Sequence, residues 1–114
     1  MNLGAYFQIL KSSPDKISFD DTISVIDIYY RFKETMFSNG EIVNNKGENN
    51  GSCKIFSFGH LNGLTENQVL QCFGDFYRKD VLEHPSAETH QNIRNFMQYG
   101  WIGVKFEAEA LMLK

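Results

Sequence analysis

Apolar residues recur every three or four positions along most of this chain and switch to strict alternation only near its end. Leu3, Phe7 and Leu10, with Tyr6 beside them, predict a short amphipathic helix over residues 2–12, which Ser12-Ser13-Pro14-Asp15 stops. Phe19, Ile23, Ile26 and Tyr30 predict a second helix with Asp20 or Asp21 as its cap, although its β-branched content also suits a strand. Phe32 and Phe37 then flank a polar segment, and Asn39-Gly40 between apolar runs predicts a hairpin centred on that pair.

The stretch 44–51 is dense in Asn and Gly and reads as a surface loop tolerant of left-handed backbone. A third helix starts at Asn50, Gly51 or Ser52, carries Cys53, Phe56, His60 and Leu61, and ends at Asn62-Gly63. The fourth has the clearest start: Thr65 as cap, Gln68 completing a capping box, and Leu64 with Val69 as a hydrophobic staple. Its core face is Val69, Cys72, Phe73 and Phe76, and it stops before Pro85. Ser86 caps a fifth helix that turns Ile93, Phe96 and Met97 inward and ends at Gly100. Ile102, Val104 and Phe106 alternate as a strand whose simplest home is beside the hairpin. The expected fold is α+β and predominantly helical, with about five helices and a small antiparallel sheet containing the Asn39-Gly40 hairpin. Its core should contain Ile26, Phe56, Val69, Phe73, Phe76, Ile93, Phe96 and Trp101.

Length and composition narrow the function. At 114 residues, 42% apolar and 14% aromatic, the chain suits one domain over residues 1–114 with a ring-rich core. The net charge is −3, with no basic run longer than Arg78-Lys79, so a nucleic-acid partner is not expected. No apolar run reaches the roughly 18 residues of a membrane span, and no basic segment followed by an apolar one opens the chain. A soluble cytoplasmic protein is expected, in which Cys53 and Cys72 remain thiols.

Both cysteines and all three histidines fall between Asn49 and Arg94, which marks this stretch as the place to look for a site. A thiol in the first turn of a helix meets unpaired N–H groups and the positive end of the helix dipole, which favour thiolate. Cys53 is thus a candidate nucleophile, with His90 or His84 as base and Asn92, Asp80 or Asn50 to orient the ring. Gly51-Ser52-Cys53 is similar to the helix-start tripeptide of papain-like enzymes. The alternative is that Cys53 packs in the core beside Phe56, as free cysteines often do. Asn49, Asn50, Ser52, Tyr77, Arg78, His84 and Arg94 are candidate ligand-binding residues; the two arginines suit a carboxylate or phosphate, unless they make structural ion pairs instead. His60, His84 and His90 match no metal-ligand spacing, and neither a metal nor a cofactor is expected.

The strings NGEIVNNKGENNGSCKIF, CFGDFYRKDVLEHP and HQNIRNFMQYGWIGVKF resemble the HopJ family of type III secretion effectors, a resemblance that covers residues 19–114. Lys33-Glu34 departs from it, standing where a Thr-Pro pair is usual. The resemblance implies a bacterial source, in the cytoplasm or secreted into a host cell, and supplies no catalytic residues. Two readings follow: a small protein that binds a small molecule or a protein partner through the Asn-rich loop, Cys53 and the end of the fourth helix, or a cysteine-dependent hydrolase or transferase using Cys53 and His90.

Overall fold

A computed structural model describes residues 1–114 as five α-helices and five short strands. The helices are α1 (Leu3–Ser12), α2 (Phe19–Tyr29), α3 (Asn50–Leu61), α4 (Glu66–Cys72) and α5 (Gln91–Tyr99). The strands are β1 (Tyr30–Phe32), β2 (Phe37–Asn39), β3 (Ile42–Asn44), β4 (Val104–Phe106) and β5 (Leu111–Leu113). The fold is predominantly helical α+β, as the periodicity predicts.

Strand β2 is the centre of a three-stranded antiparallel sheet in the order β3-β2-β4, so the alternating segment near the carboxy terminus does lie beside the hairpin. The hairpin turns one residue later than expected. Asn39 pairs with Ile42, which leaves Gly40-Glu41 as the two-residue loop. Gly40 has φ +62° and Glu41 does not share the positive region, the glycine-first pattern of a II′ turn. Asn39 is thereby freed to act as a buried strand residue. Strand β1 does not join this sheet; it pairs with β5, a carboxy-terminal strand too short for the alternation to reveal.

Two helix starts obey local chemistry. The Thr65 hydroxyl accepts from Gln68 N–H at 3.1 Å, and Gln68 Oε1 accepts from Thr65 N–H at 2.9 Å, a complete capping box. Helix α2 begins with the same device, with Ser18 as the cap and Asp21 as the residue that reaches back, rather than with an aspartate cap.

The fourth helix is much shorter than predicted. It ends at Cys72, Gly74 follows at φ +61°, and Phe76–Val81 continues as a π-helical segment. A Cβ on Gly74 would lie 2.6 Å from the Phe19 backbone nitrogen, so only glycine lets the chain turn against the start of α2. The break rotates Phe76 off the core face, and it is 40% exposed. Helix α5 likewise starts late, with His90 rather than Ser86 at its cap position; Ile93 and Phe96 face inward as expected, with Asn92, while Met97 lies off that face and is exposed. Ile102 lies in a 3₁₀ turn, Gly100–Gly103, ahead of β4.

The buried apolar side chains form a contiguous cluster in which Phe56 is central, with Phe73 and Phe96 packed on it at ring separations of 5.6 and 5.0 Å. Trp101 sits at its edge, half-buried, with its indole N–H donating to the Leu64 carbonyl at 3.1 Å.

Candidate functional site

Helices α1, α2 and α4 each begin with a side chain that accepts a hydrogen bond from a first-turn N–H: Asn2, Ser18 and Thr65. Helices α3 and α5 do not. Their cap positions are Asn49 (φ 52°, ψ 48°) and His90 (φ 55°, ψ 49°), neither making a side-chain cap. These are the chain's two non-glycine residues with positive φ. The left-handed region is sterically costly for a side chain, by about 1–2 kcal/mol for an ordinary residue. Both helices consequently leave their first N–H groups without a protein partner: Asn50, Gly51 and Ser52 in α3, and Gln91, Asn92 and Ile93 in α5.

Both starts open onto one cavity of about 340 Å³. Asn49 and Ser52 line it from α3, and His90, Gln91 and Asn92 from α5. Its apolar wall is Phe19, Phe73 and Phe76, with Ile42 and Ile93. The Phe76 ring lies 5.0 Å from Phe19 and 5.1 Å from the imidazole of His90, so the histidine rests on an aromatic shelf. His90 Nε2 is 3.1 Å from a carboxylate oxygen of Asp80, which sets the ring's orientation.

A buried asparagine network holds the two starts together. Asn92, buried at the head of α5, donates from Nδ2 to Asn44 Oδ1 (2.9 Å). Its Oδ1 accepts from Asn39 (3.1 Å) and Asn44 (3.2 Å), and its main-chain carbonyl accepts from Asn39 Nδ2 (2.8 Å). Asn49 donates to the same Asn44 Oδ1 at 2.7 Å, which pins the left-handed residue of α3, and Asn95 donates to the Asn39 carbonyl at 2.8 Å. One amide network therefore links hairpin, α3 and α5. Amide side chains suit this role because each both donates and accepts, and the interior strengthens such bonds.

Of the candidate residues, Asn49, Ser52, His90 and Asn92 meet at this cavity, with Asp80 behind the histidine. Cys53 does not. It has no exposed surface, its thiol faces the Thr35 carbonyl at 3.7 Å, and its N–H is already bonded to the Asn49 carbonyl. Burial pushes the thiol pKa up, against smaller opposite effects of the Ser57 hydroxyl and the Thr35 carbonyl. The first-turn position expected to favour thiolate is thus overridden by desolvation. Cys72 is also a buried thiol: burial raises its pKa to about 12, although it accepts a hydrogen bond from the Tyr6 hydroxyl at 3.2 Å.

The arginines do not converge. Arg78 serves the fold, donating to the Pro14 carbonyl at 3.2 Å, the Gln71 amide at 2.9 Å and the Ile17 carbonyl, so it ties the end of α4 to the α1–α2 connection. Arg94 binds the carbonyls of Thr89 and Pro85 before α5. Tyr77 packs half-buried against the core, His84 stands exposed in the turn before Pro85, and Asn50 donates to Glu34 at 2.9 Å. No group of three or more His, Cys, Asp or Glu side chains comes together as a metal would need. Phe19, Ile42, Phe76 and Gln91 were not legible as site residues. Phe76 reads as core until the break at Gly74 is known, and Ile42 and Phe19 come from distant elements.

No helix is long and apolar enough to cross a membrane. No curated protein matches the chain. A crystal structure described as that of an unknown function protein, VPA0580, is similar over 100% of this chain and 95% of that one, with 53% identity and a TM-score of 0.98. The sequence pattern of the HopJ type III effector protein family matches residues 3–111, and the chain belongs to that family.

Proposed function

We propose that this protein is a binding protein for a small organic molecule with an acidic head and a flat apolar body, held in the cavity between the starts of α3 and α5. The convergence of two uncapped helix starts on that cavity carries the reading. A helix start offers N–H donors and the positive end of its dipole, and two of them aimed at one space suit a phosphate or carboxylate. The imidazole of His90, held by Asp80, lines the same space, and Phe19, Phe73 and Phe76 offer faces and edges to a ring. Backbone strain at Asn49 and His90 fits this use, since strained residues persist where a site needs a particular presentation.

The buried state of Cys53 leaves the cysteine-dependent hydrolase or transferase without an accessible nucleophile, so binding is the reading favoured here. Calorimetry with phenyl phosphate, inorganic phosphate and phenol separates head from body. Phenyl phosphate should bind saturably, phosphate more weakly, and phenol more weakly still. His90→Gly should weaken phenyl phosphate binding without lowering the melting temperature, because glycine adopts φ 55° without strain. Absence of saturable heat with phenyl phosphate, or equal binding of phenol, would refute the proposal.

A further inference from the structure

A second cavity, of about 530 Å³, lies where the two sheets part, beside the segment 107–110 that leads from β4 to β5. Val104 and Phe106 from β4, Trp101 from the turn before it and Leu111 from β5 make its walls mostly apolar. Both rings are fixed by their neighbours. The Trp101 indole N–H donates to the Leu64 carbonyl at 3.1 Å, and its six-membered ring lies so close to Gly59 that a Cβ there would stand 3.1 Å from it. Phe37 stacks on Phe106 at a ring separation of 5.7 Å, which leaves the remaining surface of Phe106 to the cavity. The fixed charge on the wall is negative. Glu109 lies on it without an ion-pair partner, and no Lys or Arg lines the cavity. Lys105, between Val104 and Phe106 in the strand, projects from the other face.

We infer that this cavity binds a quaternary ammonium compound with an apolar tail, its cationic head among Trp101, Phe106 and Glu109 and its tail along Val104 and Leu111. The size suits a small ligand, since such sites are concave, mostly apolar and oriented by a few polar groups. Aromatic faces attract cations, tryptophan most strongly, and an unpaired carboxylate beside them adds to that field. An anionic head would find no cation and would meet Glu109. A primary ammonium has three donors to satisfy. The wall offers it the Glu109 carboxylate and the His60 ring alone, because the Ser57 hydroxyl is buried out of reach. A quaternary head has no donors to leave unpaired, and its methyl groups suit rings and apolar walls.

This site shares no residue with the cavity at the helix starts, and its readout is separate too. Trp101 is the chain's single tryptophan and lines this cavity and not the other. Its fluorescence should be titrated at pH 8 with hexyltrimethylammonium, hexylammonium, 1-hexanol and hexanoate, which share one tail and differ in the head. The expected result is a saturable spectral change with hexyltrimethylammonium, with hexylammonium roughly threefold weaker and 1-hexanol and hexanoate roughly tenfold weaker or worse. Glu109→Gln, an exposed substitution that leaves the core intact, should weaken hexyltrimethylammonium roughly threefold to fivefold and leave 1-hexanol unchanged. Phe106→Leu keeps an apolar wall without the ring, and should weaken hexyltrimethylammonium roughly tenfold while 1-hexanol changes less than about twofold. A non-saturable response to hexyltrimethylammonium, equal or tighter binding of hexylammonium, 1-hexanol or hexanoate, or unchanged affinity in Glu109→Gln overturns the inference.

Discussion

The region around α1, α2 and α4 and the region around the starts of α3 and α5 treat their polar groups in opposite ways. In the first, each helix start is closed by Asn2, Ser18 or Thr65, and the interior is sealed by a chain of bonds. Thr22 donates to the Cys72 carbonyl at 2.9 Å, and the one hydrogen of the Tyr6 hydroxyl is shared between the Thr22 oxygen at 2.7 Å and the Cys72 sulfur at 3.2 Å. In the second, buried asparagines hold the helix starts beside one cavity, and their first N–H groups have no protein partner. The contrast teaches where this fold spends donors on itself and where it keeps them available.

The sealed region should betray itself in alkali. Cys72 keeps its proton in the folded chain up to about pH 12, whereas an unperturbed thiol ionises near 9.0. Between those values the folded state binds more protons than the unfolded one, so stability is unaffected below pH 9.0 and falls as pH rises through the window. The loss from this group reaches about 4 kcal/mol at the upper end. Urea melts from pH 8 to 11 check it, and Cys72→Ala should show a shallower decline than the parent chain.

The open region should depend on the asparagine network instead. Asn92→Ala removes three buried side-chain bonds to Asn39 and Asn44 and leaves a void at the centre of the network, and should cost about 3 kcal/mol in urea melts. A cost below 1 kcal/mol would mean that the network does not hold the two starts. Thr65→Ala, which removes an ordinary cap, should cost only about 1 kcal/mol.

Legibility in the sequence follows the same division. Local rules locate the sealed region well, because Thr65, Gln68, Leu64 and Val69 signal the start of α4 through contacts within one turn. The strand at Val104–Phe106 and its place beside the hairpin were legible from alternation and simple topology. Longer-range choices were not. A cap at Ser86 is as good locally as the left-handed start at His90, and what selects the latter is the tertiary bonding of Asn92 to Asn39 and Asn44. The same network determines the role of Asn44 and Asn49, which the loop's composition marks only as tolerant of left-handed backbone. Cys53 shows the limit most plainly. Its position in a helix's first turn is visible in the residues, but its burial, which controls its acidity, arises from elements far away in the chain.

The central claim, that the starts of α3 and α5 hold their N–H groups ready for one acidic ligand, is tested most directly by following backbone amides in a ¹H–¹⁵N spectrum during titration with phenyl phosphate. The account predicts saturable shifts at Ser52, Gln91 and Asn92 with a common dissociation constant, while Glu66, Asn67 and Gln68 at the capped start of α4 stay unmoved. Shifts of equal size at capped and uncapped starts, or shifts confined to surface lysines and arginines, would contradict it.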